Sequence, residues 1–221
     1  RVGERLDRAT NRPPLVEASI RQTIGSVYTE LGEYATSVRH YEGALRLQRE
    51  QLRKGHPDTL RSLYGLSMAL WWSGNMSRAE SFTREGLEAS LRELGETNRL
   101  TLQFMQARAF AAMFLCEQPW SEVESIYLRA EALHRASLGP EDAETVKLLY
   151  GLGLGYSLNW QDEKAASLLE PMVEQSRHLL GKENPQTAAL LALLGYTRMH
   201  ILQLEAAEPP ARESLKITQR T

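Results

Sequence analysis

The residue types that carry chemistry are thinly scattered along this chain. Gly151-Leu152-Gly153-Leu154-Gly155 has the look of a phosphate-binding glycine loop. Such a loop follows a strand and opens a helix, whereas this run lies within a helical stretch between Leu148 and Tyr156. Close helix packing is the better reading. His40, His56, His134, His178 and His200 lack the i, i+4 pairing with which a helix offers two ligands to zinc. His56 reads as a helix cap and the others as surface or groove residues. Cys116 has no identifiable base to activate it and reads as packed near a turn. Glu122 and Glu124 fall on a solvated helix face, with no sign of a general acid and base. Asn75-Met76-Ser77 matches a glycosylation acceptor by chance, at a turn. No catalytic residue, metal or cofactor is expected, and the segment does not read as an enzyme.

The bulk numbers agree with a packed, non-catalytic chain. Of 221 residues, 42% are hydrophobic and 24% charged, enough apolar material for a substantial core. The 26 basic and 28 acidic residues are interspersed, for a net charge of −2. That balance gives no reason to expect nucleic acid or an anionic membrane as partner. One cysteine excludes an intrachain disulfide and suits a reducing, cytoplasmic setting. The alternative is the extracytoplasmic part of a membrane-anchored protein. No apolar run approaches the roughly 18 to 20 residues that span a bilayer, and no signal peptide is visible. The chain runs from Arg1 to Thr221 and reads as a piece of a longer protein.

What organises the chain is a repeat. Segments starting near Ala18, Leu60, Leu102, Val146 and Ala188 align at offsets of 42, 42, 44 and 42 residues. The extra two residues fall in Cys116-Glu117-Gln118-Pro119-Trp120. One column holds Gly25, Ser67, Ala109, Gly153 and Gly195; a second holds Ser37, Ala79, Val123, Ala165 and Ala207; a third holds Ala44, Gly86, Ala130, Met172 and Ser214. Small residues at fixed places on consecutive helices let their axes approach, with larger neighbours such as Tyr41 and Tyr127 filling the space between. Arg108 is out of keeping in a column otherwise made of Ile24, Leu66, Leu152 and Leu194. It either snorkels, pairs with a carboxylate, or marks a local shift of the helix caused by the nearby insertion.

The punctuation shares this register. Gly95, Gly139 and Gly181 close helices, a position that favours the left-handed backbone of glycine. Three residues on, His56, Asn98, Asp142 and Asn184 stand as N-caps, with Pro57 and Pro185 at the first helical position. First helices are expected near 15–31, 57–73, 99–116, 143–159 and 185–202, and second helices near 34–52, 76–94, 120–138, 162–180 and 204–219. A leading helix over about 1–11 breaks at Pro13-Pro14. The expectation is one all-α domain over 1–221, with a leading segment 1–14 and repeats near 15–55, 56–97, 98–141, 142–183 and 184–221.

These columns and loops resemble tetratricopeptide repeats of the kinesin-light-chain kind, Gly55-His56-Pro57-Asp58-Thr59-Leu60 being similar to that subfamily's loop. The run from Pro14 to Tyr28, with Leu31-Gly32-Glu33-Tyr34, resembles the repeat region attached to bacterial serine/threonine protein kinases. The resemblance implies a right-handed superhelical solenoid whose first helices line a concave groove. It also implies a protein-interaction module, either recruiting a segment of another protein for a signalling kinase or sensing a peptide by changing superhelical shape. Self-association through apolar array ends is a further expectation. The family often carries an asparagine pair on the first helix that holds peptide backbone. Those slots here hold Tyr64-Gly65, Gln106-Ala107, Tyr150-Gly151 and Ala192-Leu193, so that contact does not carry over.

Mapped onto this architecture, the groove residues expected are Gln22; Arg61, Tyr64, Met68 and Trp71; Gln103, Gln106, Phe110 and Met113; Lys147, Tyr150 and Leu154; and Tyr196. Aromatic and methionine side chains would anchor an extended or helical segment, with Arg61 and Lys147 orienting an acidic or C-terminal group.

Overall fold

The computed structural model describes residues 12–115, 119–140 and 142–220. Ten helices form among them: α1 (Pro14–Glu30), α2 (Tyr34–Gln51), α3 (Pro57–Trp72), α4 (Met76–Leu94), α5 (Arg99–Leu115), α6 (Trp120–Ser137), α7 (Ala143–Leu158), α8 (Asp162–Leu179), α9 (Pro185–His200) and α10 (Leu204–Thr218). No strand occurs among the described residues. Every boundary falls within two residues of the one the repeat predicts. The leading helix expected before Pro13, and Cys116, lie outside the described residues.

The boundaries are sharp because capping chemistry recurs. Asn98, Asp142 and Asn184 accept the amide N–H two residues on at 2.8–3.0 Å, and His56 does so through Nδ1 at 3.2 Å. Each bond satisfies a donor that the first helical turn leaves free. Thr145 and Thr187 reach back to the carbonyls of Gly139 and Gly181, both bonds 2.9 Å, tying each helix start to the preceding stop. Gly95, Gly139 and Gly181 have φ of 84°, 91° and 96°, the left-handed region that a Cβ disfavours.

The chain divides between Ala111 and Ala112 into two compact units. In the first, α1 packs on α2, α2 on α3 and α3 on α4, while α1 also touches α3. In the second, α6 to α10 pack each on the next, and α7 also touches α9. Within each unit, successive first helices therefore lie side by side. All three small-residue columns are buried throughout.

Glycines account for two of the four slots that differ from the expected asparagine pair. Tyr41 on α2 lies against Gly25 behind it and Gly65 ahead; a Cβ on Gly65 would penetrate its ring. Tyr127 on α6 repeats this at Gly151, where a Cβ would stand 2.9 Å from the hydroxyl. The glycine run on α7 admits four neighbours: Tyr127 at Gly151, Leu169 at Gly153, and Trp120 with Met113 at Gly155. It is a packing surface inside a helix, as its sequence context indicates.

Ion pairs tie neighbouring second helices together within each unit. Arg78 meets Glu42 at 2.7 Å and Arg49 meets Glu85 at 2.6 Å between α2 and α4, and Arg177 bridges α8 to Glu213 on α10. Arg108 resolves the same way, pairing with Glu80 of α4 at 3.2 Å. Two of the histidines read as surface or groove residues are instead buried. His134 is 0% exposed, and His40, 7% exposed, stacks on Tyr28 with centroids 5.7 Å apart. His134 shares a register with buried Gln48, Ser90 and Ser176, a polar column beneath the capping threonines.

Candidate functional site

A hairpin that stacks on both sides can bury most of each helix, so the surface left over on neighbouring first helices is the natural place to look for recognition. In the first unit this surface comprises parts of α1, α3 and α5. Gln22, Tyr64, Met68, Gln103, Gln106 and Phe110 are half-buried and Arg61 is exposed. Tyr64 stands edge-on to the buried ring of Phe104 at 5.5 Å, and Phe110 edge-on to Trp71 at 5.4 Å. Trp71 itself is buried, so it supports the wall and is not a face residue.

In the second unit the corresponding surface runs along α7 and α9. Tyr150 and Leu154 are half-buried and Lys147 is exposed. Burial raises the Tyr150 phenol pKa, which keeps it a neutral hydrogen-bonding group. Ala189 and Ala192 leave room beside Tyr196 and Met199, each 48% exposed. Met113 is half-buried with its sulfur against Gly155, so it fills space between α5 and α7.

The two cations of the expected groove arrive with their own carboxylates. Arg61 pairs with Asp58 one turn back, and Lys147 pairs with Glu144 at 3.1 Å. Both pairs are exposed and weak, but they reduce the pull either cation exerts on an anionic group. The chemistry these faces expose is therefore mainly apolar and aromatic.

Sequence spacing did not reveal one polar cluster. Asp162, 6% exposed, accepts the Ser157 hydroxyl at 2.7 Å and lies 3.2 Å from Nδ1 of His200. The imidazole is stacked on Trp160 at 5.9 Å and tilted against Tyr196 at 4.1 Å. A nucleophilic serine would need the histidine beside its oxygen; here the aspartate separates them. The cluster is a clasp between the α7–α8 turn and the end of α9, and it removes Ser157 from the inner face. Serine and aspartate flanking a turn could suggest a local bond, but nothing in the sequence links them to a histidine 38 residues away.

Two grooves in the second unit have first helices as their floor. One, about 530 Å³, lies among α6, α7 and α8 and contains Leu128, Leu152, Tyr156 and Leu168. Burial and the carboxylate of Glu124, which accepts the phenol at 2.9 Å, push the Tyr156 pKa up to about 12. The other, about 290 Å³, lies among α8, α9 and α10 and is crossed by Arg177 and Arg198. Arg198 donates at 2.8 Å to the carbonyl of Ala206, which Pro210, having no N–H, cannot engage. No group of three or more histidine, cysteine or carboxylate side chains is close enough to hold a metal ion among the described residues. No helix there is long and apolar enough to cross a membrane.

Hairpins with small residues at matching buried positions and a shared face of first helices define the tetratricopeptide class of repeat. Residues 16–92 match the tetratricopeptide repeat model. Solved structures extend the likeness in fold to nearly the whole chain. A putative kinesin light chain of nearly identical tetratricopeptide-like repeats from Podosopora anserina is 20% identical, with TM-score 0.73 over 96% of this chain and 100% of that one. BtubC (BKLC) from P. vanneervenii is 18% identical, with TM-score 0.75 over 98% of this chain and 87% of that one. A Rap protein complexed with competence and sporulation factor is 11% identical, with TM-score 0.76 over 98% of this chain and 59% of that one. No curated protein matches the chain. Residues 16–92 thus match tetratricopeptide repeats, and the all-α array as a whole shares its fold with kinesin-light-chain-like repeat proteins.

Proposed function

We propose that the first-helix faces bind a peptide or protein segment through apolar and aromatic anchors, in an accessory region of a bacterial signalling protein such as a serine/threonine kinase. The observation that carries the binding reading is the α7–α9 face. Tyr196 and Met199 stay 48% exposed beside Ala192, on a wall where Lys147 is already paired. Large apolar groups held in water on an ordered scaffold mark contact surfaces, and methionine adapts to partners of varied shape. Support for the kinase setting is narrower and rests on the run from Pro14 to Tyr34.

Selection of displayed random peptides on the purified chain tests the face. Enriched peptides should carry aromatic or aliphatic anchors, and Tyr196→Ser with Met199→Ser should weaken them by about 2 kcal/mol or more, the range of central interface residues. Peptides that bind the double variant as well as the parent chain would refute the assignment.

A further inference from the structure

The hairpin turns of the two units differ in a way that packing does not explain. At the α1–α2 and α3–α4 turns, the residue two places before the second helix is glycine, Gly32 with φ 75° and Gly74 with φ 83°. At the α7–α8 and α9–α10 turns the same place holds Trp160 with φ 57° and Leu202 with φ 60°. A side chain is strained in this region and glycine is not. Both side chains then point largely into water, Trp160 at 83% and Leu202 at 82% exposed, with Leu158 at 53% and Leu204 at 62% beside them. One side of the Trp160 ring rests on His200, and that is too little contact to offset its backbone strain.

The charges beside these turns are one-sided. Glu163 and Glu205 lie in the first turns of α8 and α10, where a carboxylate complements the helix dipole. Both are exposed and neither has an ion-pair partner among the described residues. The nearby Lys164 is drawn away to Glu124 at 3.4 Å.

We propose that the edge formed by these two turns docks a basic amphipathic segment of another protein. Its aliphatic face would cover Trp160 and Leu202, and its lysines or arginines would meet Glu163 and Glu205. A second copy of this edge would bring carboxylate to carboxylate, and an anionic lipid surface would be repelled, so charge complementarity favours the cationic partner. The edge adjoins the α7–α9 face at His200, which lies between Trp160 and Tyr196, but it offers different anchors and the charges of Glu163 and Glu205.

The probe is a dye-labelled amphipathic leucine–lysine peptide of about 14 residues, long enough to form a helix on docking, compared with a scrambled peptide of the same composition and a leucine–glutamate counterpart. Anisotropy should show saturable binding of the amphipathic peptide, about tenfold tighter than either control. Trp160→Gly with Leu202→Gly should remove that margin while leaving the thermal midpoint equal or higher, because glycine relieves the turn. Glu163→Gln with Glu205→Gln should weaken binding and flatten its salt dependence. Equal binding of the scrambled or leucine–glutamate peptide would overturn the proposal, as would full affinity in the glycine double variant.

Discussion

Tyr127 shows how a single residue sets the spacing of this fold. The side chain is 0% exposed, its hydroxyl has no hydrogen-bond partner among the described residues, and burial raises its pKa. It is kept because the hydroxyl end occupies the space opposite Gly151. Alanine is ordinarily the better helix former by about 0.5–1 kcal/mol, yet Gly151→Ala would force its Cβ to 2.9 Å from that oxygen. Gly151→Ala should therefore destabilise by about 1–3 kcal/mol, the usual cost of overpacking. Tyr127→Phe removes the unpaired hydroxyl and the 2.9 Å contact while the ring carbon at 3.1 Å stays, so in that background Gly151→Ala should cost less than in the parent chain. Urea melts of the four proteins in the cycle measure this coupling; additive effects would show that the hydroxyl takes no part in excluding the methyl group. The sequence marks Gly65 and Gly151 as departures from an asparagine slot, but it does not say which ring fills each one. That information lies in a helix that precedes them by about twenty residues, in a column that also admits Thr83, Leu169 and Ala211.

At the scale of helices, the boundaries were legible because stop, cap and first-turn threonine recur in one register. Their bonds are local, so residue type and spacing suffice. Burial of the small-residue columns was legible for the same reason. Two element-level features were not. His40 and His134 are polar types that single residues place outside, and only the column of His134 with Gln48, Ser90 and Ser176 points the other way. The prolines of α10 interrupt its ladder, and the donor that compensates comes from α9. Arg198 holds the Ala206 carbonyl with one nitrogen and Glu170 with the other at 2.5 Å. Arg198→Met keeps the aliphatic stem and removes the donor, so it should cost about 0.5–1.5 kcal/mol, the net worth of one hydrogen bond to a part-buried carbonyl. Pro210→Ala restores a backbone donor and should recover part of that loss when combined with Arg198→Met. Thermal melts that show no loss in the single variant, or no recovery in the double variant, would contradict this account of how α10 tolerates its prolines.

For the molecule as a whole, a chain of near-equivalent hairpins leaves one kind of surface on first helices and another on second helices. The second-helix surface carries inter-helix ion pairs such as Arg78–Glu42 and Arg177–Glu213, which join neighbouring repeats. The first-helix surface carries aromatic and methionine side chains with paired cations, which suits a visiting apolar segment. Of the residues expected in a groove, Tyr150 and Leu154 on α7 are half-buried and Tyr196 on α9 is exposed, whereas Trp71 is buried and Met113 packs against Gly155. Periodicity assigns a face but not the depth at which a side chain settles against its neighbours. The most direct measurement places a photo-crosslinking phenylalanine analogue at Tyr196 on α9 or at Leu128 on α6, both exposed, and irradiates living cells. The account predicts a discrete covalent adduct with a partner protein from position 196 and none from position 128. Adducts of equal yield at both positions, or at 128 alone, would contradict it.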